Sequence, residues 1–390
     1  MKLLLSILSF YACLALSAQS QKDYTKVDSL IYAIPQKSTS STATIAAYIN
    51  NNWSEEADKA RAAYVWVATN IEYDVANMYA PGSYEEEIEL VEEALDTRKG
   101  ICGHFAETFH SIARQLGLKS YSITGYTKQT GRIDDLAHAW CVARIDSSWY
   151  IFDPTWGSGT LVADRFISRL NNDFFMMTPQ KAIISHMPFD PLWQFLNYPM
   201  TSTEFYEDDF EIDHSKSFFN YIDTLKMYEQ QSETERLAAS TNRIKENGIS
   251  NRLISNRLQY NQQVLEYHCK QGIIDQYNEA VDAYNEGIYA LNDFINYRNR
   301  KFEPKKTEDE IRQMITQIDH PLEVAKSKLE SIESPNSVLD DADIKLNEAV
   351  KKAIIEKAIH QAFVDKYFNT KKILRKSLFY KYTWMGIPLN

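Results

Sequence analysis

Positive charge is scarce in this chain, cysteine scarcer still, and long apolar runs almost absent. The 390 residues hold 42 Lys and Arg against 53 Asp and Glu, a formal net charge of −11. A chain of that sign repels nucleic acid and anionic lipid, so neither is expected as a partner. Its one basic cluster, Lys371, Lys372, Arg375 and Lys376, falls on a helical stretch and reads as a solvated face. Beyond residues 3–16 no segment approaches the roughly 18 apolar residues that a membrane-crossing helix needs, so no transmembrane segment is expected. The exception follows Lys2 and ends at Ser17-Ala18, the pattern of a secretory signal peptide over residues 1–18. The expected mature chain is exported, periplasmic or secreted, and loss of Lys2 takes its net charge from −11 to −12. Cys13 lies inside the apolar run, which argues against lipid anchoring there.

Only four cysteines are present, and export would leave Cys102, Cys141 and Cys269. An odd number leaves at least one thiol unpaired in a monomer. Exported proteins that keep a free thiol often keep it for its reactivity, with a buried inert thiol as the competing explanation. Proline is distributed unevenly: five of the eleven fall between Pro154 and Pro199, and none lies between Pro199 and Pro304. The first stretch reads as an irregular wrap over a core, the second as helix.

The periodicities divide the remainder. Residues 19–40 read as a loose entry segment, followed by helices over 44–51 and 54–69, a turn at Tyr79-Ala80-Pro81-Gly82 and a short acidic helix over 87–95. Phe105, Phe109, Ile112 and Leu116 recur at helical spacing behind Cys102, with Gly117 as the stop. Residues 121–126, 137–145 and 149–153 are β-branched and aromatic strands, the last two joined by a tight hairpin at Ile145-Asp146-Ser147-Ser148-Trp149. Ile274, Tyr277, Val281, Tyr284, Ile288, Leu291 and Ile295 then alternate by three and four, the seam of a long amphipathic helix. Another apolar-periodic segment, 339–368, follows breaks at Pro321 and Pro335. The expected fold class is α+β: N-terminal helices packed on an antiparallel sheet over residues 19–210, then an all-α bundle with coiled-coil character over 211–390.

Three segments carry the chemistry. Cys102 follows Gly100-Ile101 and opens a helix, where the partial positive charge of the N-terminus favours thiolate. His138 begins a strand and supplies a general base, and Asp153 ends one and supplies a carboxylate to fix the imidazole's tautomer. Each has an ordinary structural reading alone; the conjunction is what points to nucleophilic catalysis. A zinc site from Cys102, His104 and His138 lacks a second close ligand pair, and a Cys102–Cys141 disulfide is the other rival. No metal or other cofactor is expected.

These segments resemble the transglutaminase-like superfamily of papain-type thiol enzymes, particularly its kyphoscoliosis-peptidase-like and bacterial secreted branch. The resemblance spans about residues 60–206. It rests on Ile71-Glu72-Tyr73-Asp74, Arg98-Lys99-Gly100-Ile101-Cys102, Phe105-Ala106 with Phe109, Leu116-Gly117-Leu118, Gly125-Tyr126, His138-Ala139-Trp140, and Trp149-Tyr150 leading to Asp153-Pro154-Thr155-Trp156. It implies a Cys102–His138–Asp153 triad that cleaves or transfers acyl groups at peptide or isopeptide amides through a thioester, without a metal. It also implies an aromatic second oxyanion donor, for which Tyr73 and Trp66 are the candidates beside the backbone N–H of Cys102. Trp140, Trp156 and His104 are candidate cleft residues. His104 is a departure, since many relatives have Gly at that position, and a surface helix residue is its alternative reading. The expected partner is a peptide or protein substrate, with hydrolysis favoured over transamidation. The rival is an inactive scaffold of the same fold that uses the C-terminal helices for partner association. Glycan binding through the aromatics rests on composition alone.

Overall fold

The computed structural model describes residues 22–79, 87–163, 165–332, 338–339, 341–382 and 388–389. The signal-peptide reading with Cys13, most of the turn after Tyr79, and Pro335 lie outside the described residues. The chain divides into two compact units, residues 1–261 and 262–390.

The first unit opens with α1 (Thr25–Tyr32), α2 (Thr42–Asn52) and α3 (Glu56–Asn70). The entry segment is not loose. Val27 and Ile31 are buried, and Asp28 receives two hydrogen bonds from the buried Arg61 guanidinium, at 2.8 and 2.7 Å. That long-range ion pair was invisible to local pattern. α3 is buried on nearly every side from Ala57 to Ala68, as expected of a helix at the centre of a core rather than on its surface. β1 (Glu72–Tyr73) and β2 (Lys99–Gly100) form a short parallel pair around α4 (Glu87–Thr97), and Gly100 leads into α5 (Cys102–Gln115). α5 ends at Gly117, whose φ of +83° allows the Gly117 and Leu118 N–H groups to reach the carbonyls of Arg114 and Ala113.

β3 (Ser120–Gln129), β4 (Arg132–Ile145) and β5 (Ser148–Phe152) are the sequence-expected strands, extended at their ends. Asp146 and Ser147 both adopt positive φ, the geometry that joins two twisted strands with a two-residue turn. Alternation sorts β4: Ala139, Cys141 and Ala143 face the helical core, while Trp140 and Val142 face a second cluster with Leu192, Trp193 and Phe195. The wrap contains α6 (Pro154–Ser158), the hairpin β6 (Gly159–Val162) and β7 (Arg165–Ser168), α7 (Pro179–Ala182) and β8 (His186–Pro188). β8 pairs antiparallel with β3 and completes a four-stranded sheet in the order β5-β4-β3-β8.

After α8 (Ser202–Glu207), α9 (Tyr221–Gln230) and α10 (Glu233–Glu246) belong to the first unit, so the unit boundary falls at 261/262 and not at 210. Leu225 is buried with Trp193, Ile244 is buried with Tyr126 and Phe205, and Arg243 binds Asp190 at 2.8 and 2.6 Å. α11 (Arg252–Asn299) is followed by α12 (Glu308–Thr316), α13 (Asp319–Ser331) and α14 (Ala342–Asn369), the expected all-α region. On α11 the expected seam residues Tyr277, Val281, Tyr284, Ile288, Leu291 and Ile295 all pack in the apolar clusters, and the most deeply buried line runs beside them. Ile273, Ala280, Gly287, Leu291 and Phe294 are buried, whereas Ile274 is exposed. The cause is close approach: a Cβ on Gly287 would lie 2.6 Å from Leu322 of α13, so small residues mark the contact. The expected break at Pro321 falls between α12 and α13, with Pro321 in the first turn of α13, where its missing N–H costs nothing.

Candidate active site

Cys102 is the first residue of α5 and is half-buried. Burial pushes its thiol up, but a hydrogen bond and charge from His138, with a further hydrogen bond from the backbone N–H of Ala139, outweigh this and hold it below the ordinary thiol range. His138 Nε2 donates to Asp153 Oδ2 at 2.8 Å, which leaves Nδ1 as the nitrogen for the sulfur. Burial opposes the charge on His138, yet Asp153 and Cys102 raise it to about 10. Both shifts favour the ion pair, thiolate beside imidazolium, over the neutral pair.

Asp153 is fully buried and its charge is met on all sides. Oδ1 accepts the backbone N–H groups of Thr155 and Trp156 at 2.9 and 3.0 Å, capping α6. Oδ2 accepts His138 and, at 3.0 Å, His186 Nε2. Desolvation opposes ionisation, but the two imidazoles hold the carboxyl far below its usual range. Local pattern does not mark His186, since three residues of strand among prolines carry no detectable period. One donor atom from each of His138, Asp153 and His186 lies within 4.8 Å of the others, the one grouping of three or more potential metal donors among the described residues. The two nitrogens point at the same oxygen at hydrogen-bond distance, so these donors are spent on one another.

Two glycines make the assembly possible. A Cβ on Gly125, which pairs with His138 across the sheet, would lie 2.2 Å from the Met187 carbonyl oxygen and 2.5 Å from Trp140. Glycine there admits β8 and brings His186 to Asp153. A Cβ on Gly100 would lie 2.4 Å from the Cβ of His104. That closeness corrects both readings of His104: it is neither cleft wall nor surface. Its Nδ1 accepts the Ile101 N–H at 3.2 Å, its Nε2 lies 3.3 Å from Glu93, and the ring is buried at the start of α5.

The aromatic candidates separate. Trp140 is 1 % exposed, which makes it the floor beneath His138 (centroids 6.1 Å apart) and not a cleft wall. Trp156 is half-exposed, with its ring 5.6 Å from His138 and 4.7 Å from His186. Tyr73 is half-buried and packs on Phe105 and Phe166. Burial, then the Cys102 charge, push its phenol up to about 12, so it remains a donor. Trp66 is fully enclosed under the Arg98 guanidinium, and its Nε1 is buried without a hydrogen-bond partner. Cys102, Cys141 and Cys269 are all free, and the Cys141 thiol donates to the Ala106 carbonyl at 3.0 Å, so no Cys102–Cys141 disulfide forms.

A description of the transglutaminase-like superfamily matches residues 43–154. The chain is 26% identical over 207 residues to kyphoscoliosis peptidase of Homo sapiens, covering 51% of this chain and 30% of that protein. It is 28% identical over 171 residues to kyphoscoliosis peptidase of Mus musculus, covering 42% of this chain and 25% of that one. The chain thus spans less than a third of the length of these curated relatives. Similar solved structures include a TGase (20% identity, TM-score 0.24, 42% of this chain and 40% of that one). Another is a putative cysteine protease from Cytophaga hutchinsonii (23% identity, TM-score 0.23, 34% and 37%).

Proposed function

We propose that this chain, which belongs to the transglutaminase-like superfamily of thiol enzymes through residues 43–154, is an exported peptidase or amidohydrolase. The carrying observation is the 2.8 Å hydrogen bond from His138 to Asp153, together with a Cys102 thiol that His138 holds below its ordinary range. The Cys102 thiolate attacks an amide carbonyl carbon, and the developing oxyanion is met by the Cys102 backbone N–H and the Tyr73 hydroxyl, since Trp66 is fully enclosed. The C–N bond breaks as His138 passes its Nδ1 proton to the departing amine. Water then adds to the thioester with His138 as base, the C–S bond breaks, and the acid leaves. Asp153 keeps Nε2 protonated throughout.

Hydrolysis is favoured because transfer also requires a channel that delivers an amine and excludes water, and because the curated relatives carry the name peptidase. Export rests on the Lys2 and 3–16 pattern. A buried or disulfide-bonded Cys102 would favour the scaffold alternative, and the thiol is free and half-buried. The test is residue-mapped alkylation with iodoacetamide at pH 6, with peptide turnover followed by mass spectrometry. Cys102 should be labelled ahead of the more exposed Cys269, and Cys102→Ala should abolish turnover; products gain water under hydrolysis and the amine under transfer. Turnover that persists in Cys102→Ala overturns the assignment.

A further inference from the structure

His186 is a buried imidazole that the catalytic scheme does not use. Its side chain is 0 % exposed, and its Nε2 lies 3.0 Å from the same Asp153 oxygen that receives His138 at 2.8 Å. A carboxylate only accepts, so Nε2 must carry the proton. Nδ1 is then bare in the neutral ring and accepts from the Ser185 hydroxyl at 2.8 Å, which locks the tautomer. The ring is held by Trp156 (centroids 4.7 Å), Trp140 (5.2 Å) and Phe174 (6.0 Å), and Gly125 admits its strand. Asp153, His138 and Asp134 are the titratable groups acting on it, and burial dominates them and keeps the ring neutral.

Resting on the catalytic reading above, we propose that His186 is a positioning residue. Its Nε2–H occupies the second site on Asp153 Oδ2, fixes the carboxylate's orientation and limits how strongly Asp153 draws on His138. The physical argument concerns shared charge. A carboxylate oxygen that serves one imidazole holds its imidazolium tightly, and a tightly held proton is given up reluctantly to a leaving amine. A second, uncharged donor on that oxygen weakens the hold without adding net charge to the site. It also prevents rotation of the carboxylate, which the two backbone N–H groups on Oδ1 alone would not stop.

His186→Phe keeps a planar ring and removes the donor. We expect turnover to fall ~10-fold or more with KM near the wild-type value, and the alkaline limb of Cys102 alkylation to move to higher pH. His186→Gln, which restores an N–H, should recover part of both. A folded His186→Phe whose alkylation profile coincides with the wild type overturns the inference. Long-range 1H–15N correlation on the intact wild-type chain decides the case whether or not that variant folds: an Nε2–H tautomer at His186 supports it, and an Nδ1–H tautomer overturns it. Wild-type Cys102 lacking preferential alkylation would instead sink the catalytic reading itself, so the two failures are distinguishable.

Discussion

The two units bury different things. Among the described residues of 262–390, His360 is the one polar side chain in the core, and it meets Arg298 at 2.7 Å and Glu356 at 3.2 Å. The rest is apolar, with Leu291, Phe294, Ile315, Leu322 and Val350 among its members. The first unit buries Arg61, Lys128, Asp153, His186 and Asp190, each of which is partnered. Burying a charge is costly unless its hydrogen bonds are met, so these five side chains depend on those partners. One unit is organised by geometry of polar groups, the other by the area of apolar surface removed from water.

Asp153→Asn should break the polar unit with the largest effect. One face of the new amide would have to accept from two backbone N–H groups and the other from two imidazoles, but only one of its atoms accepts. Turnover should drop ~10²–10⁴-fold, read with the alkylation rate of Cys102; near-normal rates would mean the four-donor arrangement is dispensable. In the apolar unit, Ile315→Ala removes a fully buried side chain and should cost about 2–5 kcal/mol of unfolding free energy. Denaturant titration measures that loss, and Cys102 alkylation in native buffer should be unchanged. If labelling fell in step, the contrast between the units would be lost.

The smallest expected effect concerns His110, which burial and then the Arg114 charge push down to about 4. An unfolded histidine titrates near 6.5. Between those values the unfolded chain takes up a proton and the folded chain does not. Stability is therefore full above about pH 6.5 and declines as pH falls toward 4. His110→Gln should flatten that limb in urea titrations at pH 7 and 4.5. An unchanged slope would place the acid sensitivity elsewhere.

Local pattern was a good guide where an element is long. The expected helices over 44–51, 54–69 and 87–95 appear as α2, α3 and α4, and the three expected strands appear as β3 to β5. It misled where contact sets the outcome. Residues 19–40 looked loose because Asp28 and Arg61 are 33 positions apart. On α11 the pattern missed Ala280 and Gly287 because alanine and glycine carry little hydropathy signal, although helices meet most closely there. His104 and Trp140 suggested cleft residues from their neighbours in sequence, but their side chains point into packing.

The residue types and chain order of Cys102, His138 and Asp153 were fixed by sequence alone, because a nucleophile at a helix start and partners at strand ends leave local marks. Folding decided that His138 is hydrogen-bonded to Asp153, that Asp153 is wholly enclosed, and that an imidazole from an unmarked strand shares its oxygen. The reason is physical: propensity and periodicity act over a few neighbouring residues, whereas desolvation and hydrogen bonding depend on which distant segments arrive at the same place.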